Sequence, residues 1–291
     1  MQSTDVCKKH QVLGTSRTRH DHPALLQLKS YQPVDYKDID AYRELLHTFK
    51  PEVVVYAGGT GDVEEAERNN DKALFENLTF PRALIQELYA IGAPKLISFS
   101  SSMIYDGLSG PYDESSKPSP LNYYGELKQQ LDQLIRHYKG PALILRPIVT
   151  YGWNFSFARK NPVTSFLFKL SRKNVVQVVS DVYENPIYAG DVAKILLSSI
   201  ECGLTGELNA AGGDKKLSRY EWISEFGKAF AFDRELIKPV QYKKLQLAAQ
   251  RPVDTTFTNK KLNETFDFRV LNVSEGASIM KQTTSQFDVT F

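Results

Sequence analysis

Four short apolar runs stand out in the first half of the chain, at residues 11–15, 53–56, 96–99 and 142–145. Each is nearly continuous rather than alternating, which is how strands covered on both faces read. Between them, over 39–49, 71–91 and 122–138, apolar residues recur every three or four positions, the spacing of helices with one buried face. Strand and helix in alternation predict an α/β fold, a doubly wound parallel sheet with helices on both sides. The helix over 122–138 is the sharpest of these. Leu127, Leu131, Leu134 and Ile135 make one stripe, and Lys139-Gly140 supplies a stop. After Gly152 the rhythm changes to aromatic-rich stretches (Phe155, Phe157, Phe166, Phe168), a strand over 175–179 and mixed helix and loop. This pattern predicts a first unit over 1–152 and a smaller α+β unit over 153–291, with the chain returning to the first unit near 187–212.

Composition narrows the function. With 291 residues, 42% of them hydrophobic, the chain has enough apolar surface for a sizeable core. A net charge of +2 with scattered basic residues lacks the field of a nucleic-acid binder. No apolar run approaches the roughly 20 residues of a membrane span, and the first ten residues do not read as a signal peptide. Cys7 and Cys202, far apart, suggest neither a disulfide framework nor a zinc set, so a cytoplasmic setting is expected. His20 and His22 flank Asp21 without a third ligand group nearby, so no metal is expected and a solvated loop is the plainer reading. Trp153, Trp222, Tyr183 and Tyr188 read as core packing rather than base stacking, and Asp191 as an acid fixing a helix start.

The chemistry concentrates at Tyr124-Gly125-Glu126-Leu127-Lys128. On a helix, residues four apart share a face, so the phenol and the ammonium can reach one bound molecule. A free phenol titrates near 10, and a neighbouring ammonium favours its phenolate, which predicts a lowered value and a usable acid or base. Ser101, at the end of the strand over 96–99, is suited to donate to a carbonyl oxygen that becomes an alkoxide. A Tyr-x-x-x-Lys pair alone arises often by chance. Here it is joined by Ser100-Ser101-Ser102, the Tyr105-Asp106-Gly107 turn and the segment from Pro111 to Asn122.

With those motifs in place the chain resembles the extended short-chain dehydrogenase/reductases, the dTDP-4-dehydrorhamnose reductase family in particular, from about Gln11 almost to its end. The resemblance implies a Rossmann-like nucleotide-binding unit followed by a substrate-binding one. It also implies a catalytic triad of Tyr124, Lys128 and Ser101, the last in place of the usual Thr. Cofactor contacts fall on Ser16, Arg17, Ala57, Gly58, Gly59, Lys128 and Pro147, and substrate contacts on Ser102, Met103, Tyr151, Asn154 and Arg251. Further matches are Asn77, Arg146, Gly152 and Asp191-Val192-Ala193, with Asp181, Asn185-Pro186, Ser218-Arg219-Tyr220 and Pro252 on the substrate side. The family's reaction moves a hydride from the nicotinamide to a 4-keto sugar carried on a nucleotide. Ser16-Arg17-Thr18-Arg19 follows the family's second strand, and cations there favour the 2′-phosphate of NADP over NAD. Arg251 has the planar fork that pairs with two phosphate oxygens of the nucleotide sugar.

One departure matters. The family opens with a strand, a Gly-x-x-Gly-x-x-Gly turn and a helix whose N-terminus holds the cofactor diphosphate. Here the family's second strand is reached by Gln11, so the first strand is expected to be missing or replaced. Its place is mid-sheet, so either the flanking strands close up or another segment fills the gap. A truncated start, a non-catalytic descendant and completion of the sheet by a partner chain all follow as options, and a homodimer is a further expectation. Three functions stay open at this point: an NADPH-dependent reductase, an epimerase or dehydratase on the same scaffold, and a silent regulatory or binding subunit like that of methionine adenosyltransferase.

Overall fold

A computed structural model describes residues 9–17, 30–155 and 158–286 of the chain. Cys7, Thr18, Arg19, His20, Asp21, His22 and Phe157 lie outside the described residues.

The elements run β1 (Leu13–Ser16), β2 (Ser30–Pro33), α1 (Ile39–Phe49), β3 (Val53–Tyr56), α2 (Val63–Arg68), α3 (Phe80–Ala90), β4 (Lys95–Phe99), α4 (Tyr123–Arg136) and β5 (Ala142–Pro147). They continue with α5 (Pro162–Ser171), β6 (Val176–Val179), α6 (Ala189–Glu201), β7 (Gly206–Ala210), α7 (Arg219–Ala229), β8 (Ile237–Val240) and α8 (Val273–Gln282). A parallel sheet of order β7-β5-β4-β3 forms the centre, and the fold is mixed α/β and Rossmann-like. Successive residues of its strands serve opposite layers, as a pleated strand requires. Ile97, Leu143 and Leu145 meet Val192 and Ile195 of α6 on one face. Leu96 and Ile144 meet Leu84 and Leu88 of α3 and Leu131 and Ile135 of α4 on the other.

The sheet is split. Among the described residues β1 pairs only with β2, in parallel, while β3 ends the four-stranded sheet. Among the described residues neither expected remedy appears: the flanking strands do not pair, and no strand lies between them. The surface left behind is visible on β3, where Val55 is 39% exposed. Side chains tie the β1–β2 ribbon on instead. The Glu76 carboxylate accepts from Arg17 Nη1 at 3.0 Å and from the Tyr36 hydroxyl at 2.8 Å, while the Tyr56 hydroxyl donates to the Glu76 carbonyl at 2.7 Å.

The helix expected over 71–91 is real but interrupted. Asn70–Leu74 passes through a π-turn, Phe75–Thr79, into α3, and α2 precedes it under an Asp62 cap. The wider turn carries the buried Glu76 and Asn77. A second core gathers Tyr151, Leu167, Val178, Trp222, Phe226 and Met280 under the parallel pair β6–β8. Trp222 is wholly enclosed, and its indole N–H donates to Glu184 at 3.2 Å. Asp191 does not cap its helix. α6 begins at Ala189 with Tyr188 at the cap position, and the Asp191 carboxylate instead accepts the Leu271 N–H at 2.8 Å, because the chain folds back over the helix start there.

Candidate active site

α4 begins where Asn122 caps it, its side-chain oxygen accepting the Gly125 N–H at 2.9 Å. The other end of the same amide donates to the Gln250 carbonyl at 2.8 Å, so the cap joins the helix to a loop 128 residues away. Gly125 lets the helix press against the turn that follows β4, where a Cβ would overlap the Met103 carbonyl. This close approach carries Tyr124 to Ser101. The Ser101 hydroxyl is near enough to favour the Tyr124 phenolate, and Ser101 accepts the Met103 N–H at 3.2 Å. Lys128, one helical turn on, donates to the Phe99 carbonyl at 3.3 Å, with its Nζ 5.7 Å from the centre of the Tyr124 ring.

The acid-base balance differs from expectation. Burial raises the Tyr124 phenol above its ordinary value, the Ser101 hydroxyl pulling only partly the other way. The lysine does not acidify it, because Lys128 is itself buried and pushed down to about 8, against the opposing pull of Asp132. In this state the phenol keeps its proton, and the lysine is the group near titration.

Asp132 continues the same stripe: Tyr124, Lys128 and Asp132 stand four residues apart on α4. The Asp132 carboxylate accepts from Arg146 at 2.8 and 3.1 Å with both side chains sealed, and Arg146 also reaches Glu207 at 2.5 Å. Burial raises the Asp132 carboxyl against the pull of Arg146. Burial also opposes the charge of Arg146, but Asp132, Tyr105 and Glu207 outweigh it and raise that guanidinium above its ordinary value. The helical spacing of Asp132 was open to reading from the sequence, although its buried partner was not.

The remaining expected residues divide. Ala57 and Gly58 follow β3, and Gly59 adopts φ +97° beside Asn77, whose Oδ1 is buried without a partner. Pro147 ends β5, and Ser102 and Met103 start the turn against α4. Ser16 bonds the Tyr31 hydroxyl at 2.5 Å, and Arg17 lies over the Tyr36 ring while paired to Glu76. Tyr151 is not brought to the triad: it is wholly buried in the second core, packed against Gly276 and Phe226. Asn154 is spent on its own loop, accepting from Asn161 and Thr164 and donating to the Arg159 carbonyl. Arg251 pairs with Glu64 at 3.1 Å, a residue unremarked in the sequence because an acid in a helix's first turn is commonplace.

A dinucleotide asks for donors at two ends. The buried Lys128 and the Ser101–Tyr124 hydroxyls fit a nicotinamide with its ribose. For the diphosphate end, the glycine-rich turn Gly58-Gly59-Thr60-Gly61 leads from β3 into α2, but the Asp62 carboxylate already accepts the first N–H groups of that short helix, and the fit stops there.

The sheet and its flanking helices define a Rossmann-like α/β protein. The chain belongs to the family described as RmlD substrate binding domain, whose profile matches residues 6–284. It is similar to methionine adenosyltransferase 2 subunit beta of Xenopus tropicalis, 26% identical over 215 residues, covering 72% of this chain and 64% of that protein's length. It is also similar to the dTDP-4-dehydrorhamnose reductase of Aggregatibacter actinomycetemcomitans, at 24% identity over 81% of this chain and 82% of the relative. Among solved structures, the dTDP-4-dehydrorhamnose reductase of Bacillus anthracis in complex with NADP shares the fold. Its TM-score is 0.81 at 20% identity, covering 93% of this chain and 98% of that one.

Proposed function

We propose that this chain is a reductase that uses a nicotinamide dinucleotide, NADPH before NADH, to reduce the 4-keto group of a nucleotide-linked sugar. Residues 1–152 would form the nucleotide-binding unit, with return segments near 187–212, and 153–291 mainly the substrate unit. The observation that carries this reading is the packing of α4, with Tyr124 and Lys128 buried on one face, against the turn after β4 that holds the half-buried Ser101.

The bound dihydronicotinamide supplies the hydride. The protein's own part is the proton and the oxygen. Tyr124 holds its proton firmly in the resting site, so it acts as the acid, releasing that proton only to an oxygen that has become a strongly basic alkoxide. Ser101 donates a hydrogen bond to the same oxygen and supports the charge as it develops. Lys128, near neutrality in its buried setting, provides the positive field that lowers the cost of a transient phenolate. Ala57, Gly58, Gly59 and Pro147 supply the backbone wall of the cofactor side, and Arg17 the cation for a 2′-phosphate. Ser102 and Met103 border the sugar.

A second reading is favoured by the split between β1 and β3 and by the kinship with methionine adenosyltransferase 2 subunit beta: a binding subunit that has kept the corner without turning over substrate. A partner chain or a second copy completing the sheet belongs with it. Titration with NADPH, followed by nicotinamide fluorescence and melting temperature, separates the two when joined to turnover with a dTDP-4-keto sugar. Binding with stoichiometric NADPH consumption supports the reductase. No melting shift at saturating NADPH sinks it.

A further inference from the structure

A net charge of +2 conceals a local concentration of cations. No acid occurs between Asp132 and Asp181, and Arg159, Lys160, Lys169, Arg172 and Lys173 fall on and beside α5 within that span. The helix spends its apolar side, Val163, Leu167 and Leu170, on the second core, and all five cations are exposed. Lys169, Arg172 and Lys173 stand three and four positions apart, so they share the outer face. Lys160, just ahead of the helix, places its Nζ 3.1 Å from the centre of the Phe168 ring, and the Arg172 guanidinium lies 3.6 Å from the same centre.

One aromatic ring therefore holds two like charges in place. Arg172 is fixed further by its Nη1, which donates to the Phe168 carbonyl at 3.3 Å. Like charges brought together repel unless an anion stands between them. Among the described residues only Arg159 of the five has a carboxylate partner, Asp62 at 2.8 Å. The other four form a face in want of a counter-charge.

Three kinds of polyanion carry charge to such a face, and the geometry favours one. A nucleic-acid strand uses an aromatic ring to stack a base, and the Phe168 ring is already taken by two cations. An anionic bilayer gains hold through apolar side chains that enter it, and among the described residues of 159–175 only Val175, at 61%, is an exposed large apolar one. An extended protein segment matches the spacing. Lys169 and Lys173 are about 6 Å apart along the helix axis, while alternate side chains of an extended strand emerge on one side about 7 Å apart. Carboxylates at every second residue fall in step with these cations.

We propose that the outer face of α5 is a docking surface for an extended acidic segment of a partner protein, with Asp or Glu at alternate positions. Lys169 and Lys173 take successive carboxylates, and Lys160 and Arg172 close on a further one. Phe168 is a positioning residue that steadies the last two. The surface uses none of the residues assigned to the reductase reading, and it stands or falls apart from that reading.

Fluorescence anisotropy on the full chain tests it with two labelled eight-residue peptides, each of four glutamates and four threonines. In one the glutamates alternate with threonine, and in the other they are contiguous. The alternating peptide is expected to bind more tightly by about three- to tenfold, with both weakening as salt rises from about 50 to 300 mM. Lys169→Gln and Arg172→Gln should each weaken the alternating peptide about two- to fivefold, whereas Lys139→Gln, an exposed cation of the first unit, should not. Phe168→Leu keeps every charge and should also weaken it, with the melting temperature confirming the fold. Equal affinity for the two peptides, or no loss in Lys169→Gln and Arg172→Gln, overturns the proposal. Unchanged binding in a folded Phe168→Leu removes the positioning role. Tighter binding of a DNA duplex, or of vesicles of equimolar phosphatidylcholine and phosphatidylserine, through the same two residues overturns the choice of partner.

Discussion

Asp132 and Arg146 form a sealed ion pair directly behind the lysine of the candidate site, each about 1% exposed, with the Asp132 carboxylate held at 2.8 and 3.1 Å. Its position one helical turn beyond Lys128 makes the pair part of the local field of that corner, not only of the core.

Removing one partner strands the other. Asp132→Asn is expected to destabilise the chain by about 3–5 kcal/mol, because Arg146 keeps a buried charge with only Glu207 to answer it. Urea denaturation measures the loss. Asp132→Leu combined with Arg146→Met should recover most of it, since no uncompensated charge remains. A double variant as unstable as the single one contradicts this account.

The lysine predicts a pH signature. With its folded value near 8 and its ordinary value at 10.5, Lys128 carries a charge below pH 8 that the folded state bears at a cost. Between about pH 8 and 10.5 the folded chain gives up this proton before the unfolded chain does, so its contribution to stability rises with pH across that window. Lys128→Met should therefore be more stable than wild type at pH 7, by about 2–3 kcal/mol, with the difference closing by pH 10.5. A difference independent of pH means that the lysine is not strained by burial.

Tyr124→Phe keeps the ring and deletes the proton. Turnover is expected to fall by about 10²–10⁴-fold while the NADPH-induced rise in melting temperature survives. Full turnover in the variant assigns the proton donor elsewhere.

Gly125→Ala tests the close approach of α4. The added methyl meets the Met103 carbonyl, and the helix has to move away from the turn that carries Ser101. A loss of about 1–3 kcal/mol on unfolding is expected, with a drop in turnover larger than that stability loss explains. Wild-type rate and stability together would show that the contact has no role.

The parts of this fold that read directly from the sequence are those buried on both sides or along a full stripe. α1 and β3 lie where their apolar patterns end, at Ile39–Phe49 and Val53–Tyr56, and α4 starts at its Asn122 cap. β2 escaped notice because Ser30–Pro33 sits in an outlying two-stranded ribbon and has no apolar run to announce it. The Tyr124–Lys128 spacing was legible since both residues lie on one helix. The direction of the phenol's shift was not, because burial is a property of what packs around a residue and no local spacing encodes it. Tyr151 and Asn154 mark the same limit: motif position suggested a ligand, and it did not reveal that Tyr151 packs into the second core or that the Asn154 amide bonds within its own loop. The Glu64–Arg251 contact, across 187 residues, is beyond any local pattern.

Asn122 carries a consequence for how this protein can change over evolutionary time. One amide starts the helix that carries Tyr124 with its oxygen and anchors the Gln250 stretch of backbone with its nitrogen. Substitutions that reshape that loop therefore pull on the start of the helix as well. Under the proposed function, selectivity and rate would be mechanically geared, and neither could drift far without the other being retuned.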